Sequence, residues 1–369
     1  MGEVGLEELD GRDIIFAGVG ASFAAAPEDV RHESAEFCAW TVMAIRVRGK
    51  DRFPRVQFHG ELQAPPGFDS LVTVGISRDG PVAIWSSRDG EAGLHSRYEK
   101  PPGAASFPRT APGTPTAAAL VAYAGSGVVP ATVTRVRALP VAHPHVDLLA
   151  DGSFLVVGAR CNWTESGPDL NAVAFDQSGR VFRRGCLGDG IAHLQVAQDG
   201  TIWTGYFDEG VFGNLGWGGP GPVPLGAGGI AAWSPDFEKV WELPPEQGLV
   251  ADCYALNVGP DEVLACPYAG FPVIRIRNRQ QSVTTTSGVS GPAGIIASGG
   301  KVGLIGTYRD PSLLITGAIQ NGAFHESERA SLRAPDGGPL PMSRVQCRGP
   351  VAHFFAGGKW YSFDLEQAA

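Results

Sequence analysis

What most constrains this chain is a tight turn that keeps returning between short apolar runs. Six stretches carry it: LVTVGISRDGPVAIWSSR, VDLLADGSFLVVGAR, AHLQVAQDGTIWTGYF, YALNVGPDEVLACPY, GIIASGGKVGLIGTY and VAHFFAGGKWYSFDL. Asp-Gly flanked by strand-like residues is a strong hairpin signal, because glycine takes the positive φ of the turn at no steric cost. The clearest case lies within Gly188–Asn214. There Ile191, Leu194 and Val196 lead into Gln198-Asp199-Gly200, and Ile202, Trp203, Tyr206 and Phe207 follow. Aligned on Asp79, Asp151, Asp199, Asp261, Gly299 and Gly357, the turns stand 72, 48, 62, 38 and 58 residues apart.

Further strand-like runs sit between the turns: TVTRVRAL (132–139), NAVAF with VFRRG (171–185), GIAAW with KVWEL (229–243) and VIRIR (273–277). Units of four strands joined by loops of variable length fit these spacings, each sheet burying its faces against its neighbours. The reading is all-β: a six-bladed β-propeller, with seven blades as the alternative. The last repeat ends near Leu365 with too few strands for a blade. An N-terminal strand, Arg55-Val56-Gln57-Phe58, is therefore expected to supply its outer strand and close the ring, which removes an exposed sheet edge. One domain over residues 1–369 follows, with 1–65 contributing the closing strand and the repeats filling 66–366.

Before that strand, residues 13–24 read as a strand, 27–36 as one or two helical turns behind Pro27, and 37–48 as another strand. Gly18-Val19-Gly20 is not a dinucleotide fingerprint, since Phe23 replaces the third glycine. No nucleotide cofactor is expected. Residues 100–118 and 213–228, rich in Pro and Gly, read as insertion loops.

Composition agrees with many short strands. The 51 glycines and 29 prolines are too many for a helical protein, and 43% hydrophobic residues are too many for disorder. A formal charge of −9 argues against nucleic acid and against an anionic membrane surface. No apolar run reaches the length of about 18 residues that a membrane helix needs. The acidic start MGEVGLEELDGRD lacks an export pattern, so the expectation is a cytoplasmic monomer or weak dimer with a small-molecule ligand. The six cysteines (38, 161, 186, 253, 266, 347) show no CxxC or CxxH spacing and are expected to be buried thiols rather than a zinc site or disulfides. No Gly-x-Ser-x-Gly elbow, P-loop or HExxH occurs.

The stretch DGIAHLQVAQDGTIWTGYFDEG resembles the blade repeats of bacterial propellers of the lactonase and streptogramin-lyase superfamily. It is similar also to the periplasmic propellers of two-component sensors. The resemblance spans about residues 70 to 365 and concerns architecture. It implies a ligand and a divalent cation at the central mouth of the ring.

Ring geometry turns the repeat into positions. In each blade the innermost strand descends from the mouth to the turn, and the second strand returns. Residues six to ten before the turn, and nine after it, should therefore gather near the axis on one face. Nine after gives Arg88, Arg160, Asp208, Gly270 and Tyr308, and the next position gives Asp89, Cys161, Glu209, Phe271 and Arg309. Ten before gives Asp69 and Asp189, and six before gives His145 and His193. With Tyr206, these ionisable groups converge on one concave site, the default place to look for function.

Each candidate carries two readings. His145 and His193 are either general acid/base groups, suited by a pKa near neutrality, or side chains packed between blades. Arg160 either clamps a carboxylate or enolate oxygen or pairs with Asp189. Tyr308 joins His145, His193 and Arg160 as a catalytic candidate. Asp189, Tyr206, Arg88 and Arg309 are expected to contact substrate, and Trp163 and Trp217, on long loops of the same face, to cap it. Asp208-Glu209 either holds Ca²⁺ or Mg²⁺ or is a solvated turn. His143-Pro144-His145 is a weak metal pattern, Cys161 has no activating base in sequence, and Trp85, Trp203 and Trp360 read as packing. Two functions remain: a lyase or hydrolase acting on a cyclic ester or lactone-like metabolite, or a non-catalytic ligand- or protein-binding scaffold. The long loops on the mouth face favour the first.

Overall fold

The strands are apolar on both faces, and the two faces belong to different interfaces. In Gly80–Ser86, Val82 and Ile84 join one buried cluster while Ala83 and Trp85 join another. In Ile202–Tyr206, Ile202 and Tyr206 point to one side and Trp203 to the other. The two-residue period of a strand alternates its side chains, so a sheet sandwiched between two others reads as a nearly continuous hydrophobic run. A computed structural model describes residues 53–98 and 106–367. The strands and helical turns expected within residues 13–48 lie outside the described residues, as does Cys38.

The described residues open with β1 (Gln57–Glu61). The first meander is β2 (Ser70–Ser77), β3 (Gly80–Ser86), β4 (Ala118–Tyr123) and β5 (Pro130–Val136). The second is β6 (Pro144–Leu148), β7 (Phe154–Gly158), β10 (Ala172–Phe175) and β11 (Val181–Gly185), interrupted by a two-residue hairpin of β8 (Trp163–Thr164) and β9 (Gly167–Pro168). The third is β12 (Ile191–Val196), β13 (Ile202–Tyr206), β14 (Ile230–Trp233) and β15 (Lys239–Glu242). The fourth is β16 (Asp252–Val258), β17 (Val263–Tyr268), β18 (Val273–Arg277) and β19 (Gln280–Thr284). The fifth is β20 (Gly294–Ser298), β21 (Lys301–Ile305), β22 (Leu313–Gln320) and β23 (Ala323–Ser331). The sixth is β24 (Arg344–Arg348), β25 (Val351–Ala356) and β26 (Lys359–Asp364), completed by β1. Two short helices, α1 (Arg88–Leu94) and α2 (Asp208–Phe212), follow β3 and β13.

This is a β-propeller. The innermost strands β2, β6, β12, β16, β20 and β24 adjoin one another in that cyclic order and return to β2. A buried apolar cluster fills each junction between successive meanders, including Leu62, Val74, Trp85, Tyr123, Phe355 and Trp360 between the last and the first. β1 pairs antiparallel with β26, with Gln57 opposite Ser362 and Glu61 opposite Lys359. The closing strand thus begins two residues beyond the expected Arg55.

The sixth repeat corrects the alignment. Its Gly357 turn joins β25 to β26, the second and third strands, whereas the turn equivalent to Asp79 or Asp199 is Gly349-Pro350 between β24 and β25. A Gly-Gly hairpin looks alike wherever it occurs in a meander, so the local signal was one hairpin out of phase.

Near the axis the ring is stapled by polar side chains. Asn257 donates its amide to Ile295 O (2.7 Å) and Gly349 O (2.8 Å) and accepts from Gly349 N (2.7 Å). Gln195 donates to Cys347 O (2.8 Å) and accepts from Val258 N (2.7 Å). Asp147 accepts from Leu148 N, Val196 N and Arg348, and Arg348 also donates to Ile76 O and Val196 O. Inner strands carry unpaired backbone groups that must be satisfied when buried, and these side chains do so across the axis. Gly75 lets the first two blades meet there, since a Cβ would stand 2.3 Å from Val146 O.

Candidate functional site

The innermost strands enclose an axial cavity of about 170 Å³. Thr73 of β2, His145 of β6, His193 of β12 and Arg344 of β24 line it, with Gln195 and Gln346 one layer further along. His145 Nε2 lies 3.0 Å from Ile191 O and His193 Nε2 lies 2.9 Å from Cys253 O. A carbonyl oxygen only accepts, so both rings carry their proton on Nε2. The His145 Nδ1 lone pair then faces Arg344 Nη2 at 3.3 Å, while Arg344 Nη1 donates to Thr73 Oγ1 at 3.0 Å. Burial, with the Arg344 charge second, pushes His145 down to about 3, and burial pushes His193 down to about 4. Both imidazoles are therefore neutral at physiological pH.

Arg344 and Thr73 were not singled out in the sequence, yet the signal was there. Six residues before the turn stand Thr73, His145, His193 and Ala293 in four repeats, all of them cavity residues. Counted from Pro350 in the corrected sixth repeat, the same offset reaches Arg344.

A second cluster joins the second and third blades. Arg160 grips Asp189 through two parallel hydrogen bonds, Nε and Nη2 each 2.9 Å from a carboxylate oxygen, and Nη2 lies 2.5 Å from Glu209 Oε2. Asp189 also accepts Cys161 N–H at 2.7 Å, and the guanidinium stacks over Phe207. Burial opposes the Arg160 charge, but Asp189 and Glu209 outweigh it and hold its pKa above the ordinary value. The structural reading of the Arg160–Asp189 pair is what this geometry displays.

A third group stands at the rim beside β16. Tyr254, Tyr268, Phe271 and Tyr308 meet with ring centroids 5.5–6.1 Å apart. Tyr308 donates its hydroxyl to that of Tyr254 at 2.9 Å, and Tyr268 and Tyr308 are exposed. Asp252, opposite Tyr268 in the ladder, is half-buried. Burial, and then the nearby Asp208 charge, raise its carboxyl to about 6. Replacing Asp208 by Asn is expected to lower that pKa toward the 3.8 of a free side chain, read from the Asp252 carboxyl carbon in an NMR titration. Because the folded pKa is raised, the contribution of Asp252 to stability is present below its unfolded pKa and is lost as pH rises through about 6. An Asp252 titration unmoved by the substitution would refute the Asp208 contribution.

Several expected ligand contacts are instead packed away. Tyr206 is fully buried between the second and third blades, and its hydroxyl donates to Leu187 O at 2.6 Å. Strand parity explains this, for Tyr206 shares a face with Ile202 and Thr204 of β13. Trp217 is buried with Nε1 donating to Cys161 O at 2.8 Å, and Trp163 N–H donates to Leu215 O at 2.8 Å. The two tryptophans bind the long loops to each other. Arg88 and Arg309 are exposed, with no ion-pair partner among the described residues.

Asp208-Glu209 opens α2 and is divided, Asp208 outward and Glu209 on Arg160. Glu209 is thus engaged by a cation of the protein itself, and among the described residues no three His, Cys, Asp or Glu side chains converge as metal ligands. His143 donates to Ser96 O and His145 to Ile191 O, so the HxH pair does not share a ligand. Cys161 is buried, and its hydrogen bond to Cys186 together with burial keeps the thiol protonated.

No protein-family model and no curated protein matches the sequence. Solved structures with a similar chain trace include BamB from Moraxella catarrhalis, 12% identical, with 80% of this chain and 83% of that chain covered and a TM-score of 0.37. The Cps50 (Swd1) β-propeller domain of Myceliophteria thermophila is 8% identical over 84% of this chain and 99% of that one, TM-score 0.37. A chain of the nidogen/laminin complex is 9% identical over 75% and 92%, TM-score 0.40. The likeness is one of architecture.

Proposed function

We propose that this chain is a ligand-recognition propeller that works from its mouth face and binds a small molecule without transforming it. One observation supports this above the rest: the groups suited to chemistry there are already engaged with one another. Arg160 is held by Asp189 and Glu209, the Nε2 protons of both axial histidines go to main-chain carbonyls, and His145 Nδ1 faces Arg344. A general base needs a free lone pair near its operating pH, and the depressed His145 and His193 lie far below it. The rim aromatics Tyr254, Tyr268 and Tyr308 supply contact surface of the kind that binding sites favour.

A lyase or hydrolase acting on a cyclic ester is the second reading, favoured by His193 and Arg344 sharing one cavity as proton carrier and oxyanion donor. Saturation-transfer NMR against a defined set of lactones, carboxylic acids and phosphate esters separates the two. Recognition predicts that at least one member binds and is recovered intact, with the signal lost in Tyr308→Ala. Steady turnover of a lactone that disappears in His193→Ala would overturn recognition in favour of catalysis.

A further inference from the structure

Among the described residues, the axial cavity holds a cation with no carboxylate paired to it. Arg344 reaches only Thr73 and His145, two neutral groups, and forms no ion pair with any described carboxylate. Every strand facing it is uncharged at that level. β2 offers Thr73, β6 His145 and β12 His193, while β16 presents Leu256 and the residue before β20 is Ala293. Gln195 and Gln346 on the next layer donate to Cys347 O and Val74 O. The other axial guanidinium, Arg348, does have its carboxylate in Asp147. Arg344 is exposed, and its side chain opens onto the cavity.

Its charge is met by solvent and not by a carboxylate, and low-dielectric walls focus its field into the opening. On a chain of net charge −9 the cavity is a local exception to the sign of the whole molecule. A guanidinium offers five N–H donors in a planar fork that matches carboxylate and phosphate oxygens. Two point at Thr73 and His145, which leaves the others for a ligand. Size narrows the choice further: about 170 Å³ is below the range of roughly 300–1,000 Å³ usual for metabolite pockets.

We propose that the axial cavity is a binding site for a small oxyanion, a carboxylate or phosphate group of a few heavy atoms, held by Arg344 and flanked by Thr73, His145 and His193. This deepens the recognition reading, on which it rests, by naming the charge and size of the group that enters the ring.

The test is isothermal titration of the full chain with inorganic phosphate and, separately, with acetate at low ionic strength. At least one should bind saturably at one to one. Arg344→Gln should weaken that binding by about tenfold or more, the scale of losing a charge-assisted hydrogen bond. Lys301→Gln, which removes the same charge from the exposed start of β21, should leave it unchanged. Where Arg344→Gln does not fold, Thr73→Val removes the hydroxyl that positions Nη1 and should weaken binding severalfold. Tighter phosphate binding assigns a tetrahedral group, and tighter acetate binding a carboxylate.

The proposal is overturned if neither anion binds saturably, or if the folded Arg344 or Thr73 variant binds as wild type does. If neither anion binds while the NMR set still yields a ligand, the anion site falls and the recognition reading stands. Anion binding that depends on Arg344, together with lactone turnover that depends on His193, would keep the site and replace recognition by catalysis.

Discussion

A chain that begins at Gln63 is expected to lose the cooperative unfolding of the full chain. The segment it lacks contains β1, whose ladder with β26 completes the sixth blade. It also contains Val56 and Leu62, each 2% exposed, in the clusters on either side of that blade. Burying two such side chains contributes about 3–6 kcal/mol, before the main-chain bonds from Val56 N to Arg333 O and Leu62 N to Gly358 O are counted. A whole domain is stable by only about 5–15 kcal/mol. Without β1, the backbone edge of Lys359–Asp364 is open to pairing with another copy, so the shorter chain should self-associate as well as melt broadly. Urea denaturation with light scattering reads both effects. Matching sigmoidal transitions and a monomeric Gln63 chain would show that the ring does not depend on this strand.

Arg160→Met is expected to destabilise the fold by about 3–5 kcal/mol, the scale of removing one partner from a buried ion pair. Asp189, 2% exposed, would keep only the Cys161 N–H of its present partners. Glu209, whose side chain is 31% exposed but whose Oε2 is buried, would lose its cation as well. A second change, Asp189→Asn, removes the stranded charge and retains an oxygen for Cys161 N–H. The double variant should therefore recover more than half of the loss. The reading is the urea midpoint at unchanged slope, which separates stability from altered compactness. A single variant as stable as wild type would mean that the pair contributes nothing to joining the second and third blades. A double variant no better than the single would place the damage in packing against Phe207 rather than in electrostatics.

How much of the site was legible follows from what each inference used. The offset from the turn located His145 and His193 because innermost strands of similar length bring equal offsets to equal depth on the axis. The same count missed Arg344 only because the sixth repeat was aligned on Gly357, a hairpin one strand too late. Tyr206 was misplaced for a different reason. Counting along a strand fixes height above the turn, but which of two buried faces a residue occupies depends on parity, and both faces of these strands are apolar. Loop residues were least legible. Trp163 and Trp217 interlock through contacts between segments whose approach no local pattern encodes, and the aromatic rim of Tyr254, Tyr268, Phe271 and Tyr308 gathers from three separate stretches of the fourth and fifth blades.

The amino-acid sequence by itself determined that the chain is a closed ring of antiparallel meanders, because turn chemistry and two-residue periodicity are local and repeat. It also placed His145 and His193 at the axis, though not Thr73 or Arg344. Only the tertiary structure decided which of those side chains neutralise one another. Arg160 found Asp189 and Glu209, and Arg348 found Asp147, while Arg344 found no carboxylate among the described residues. Charge pairing depends on distances between strands far apart in sequence, and these are set only when the ring closes.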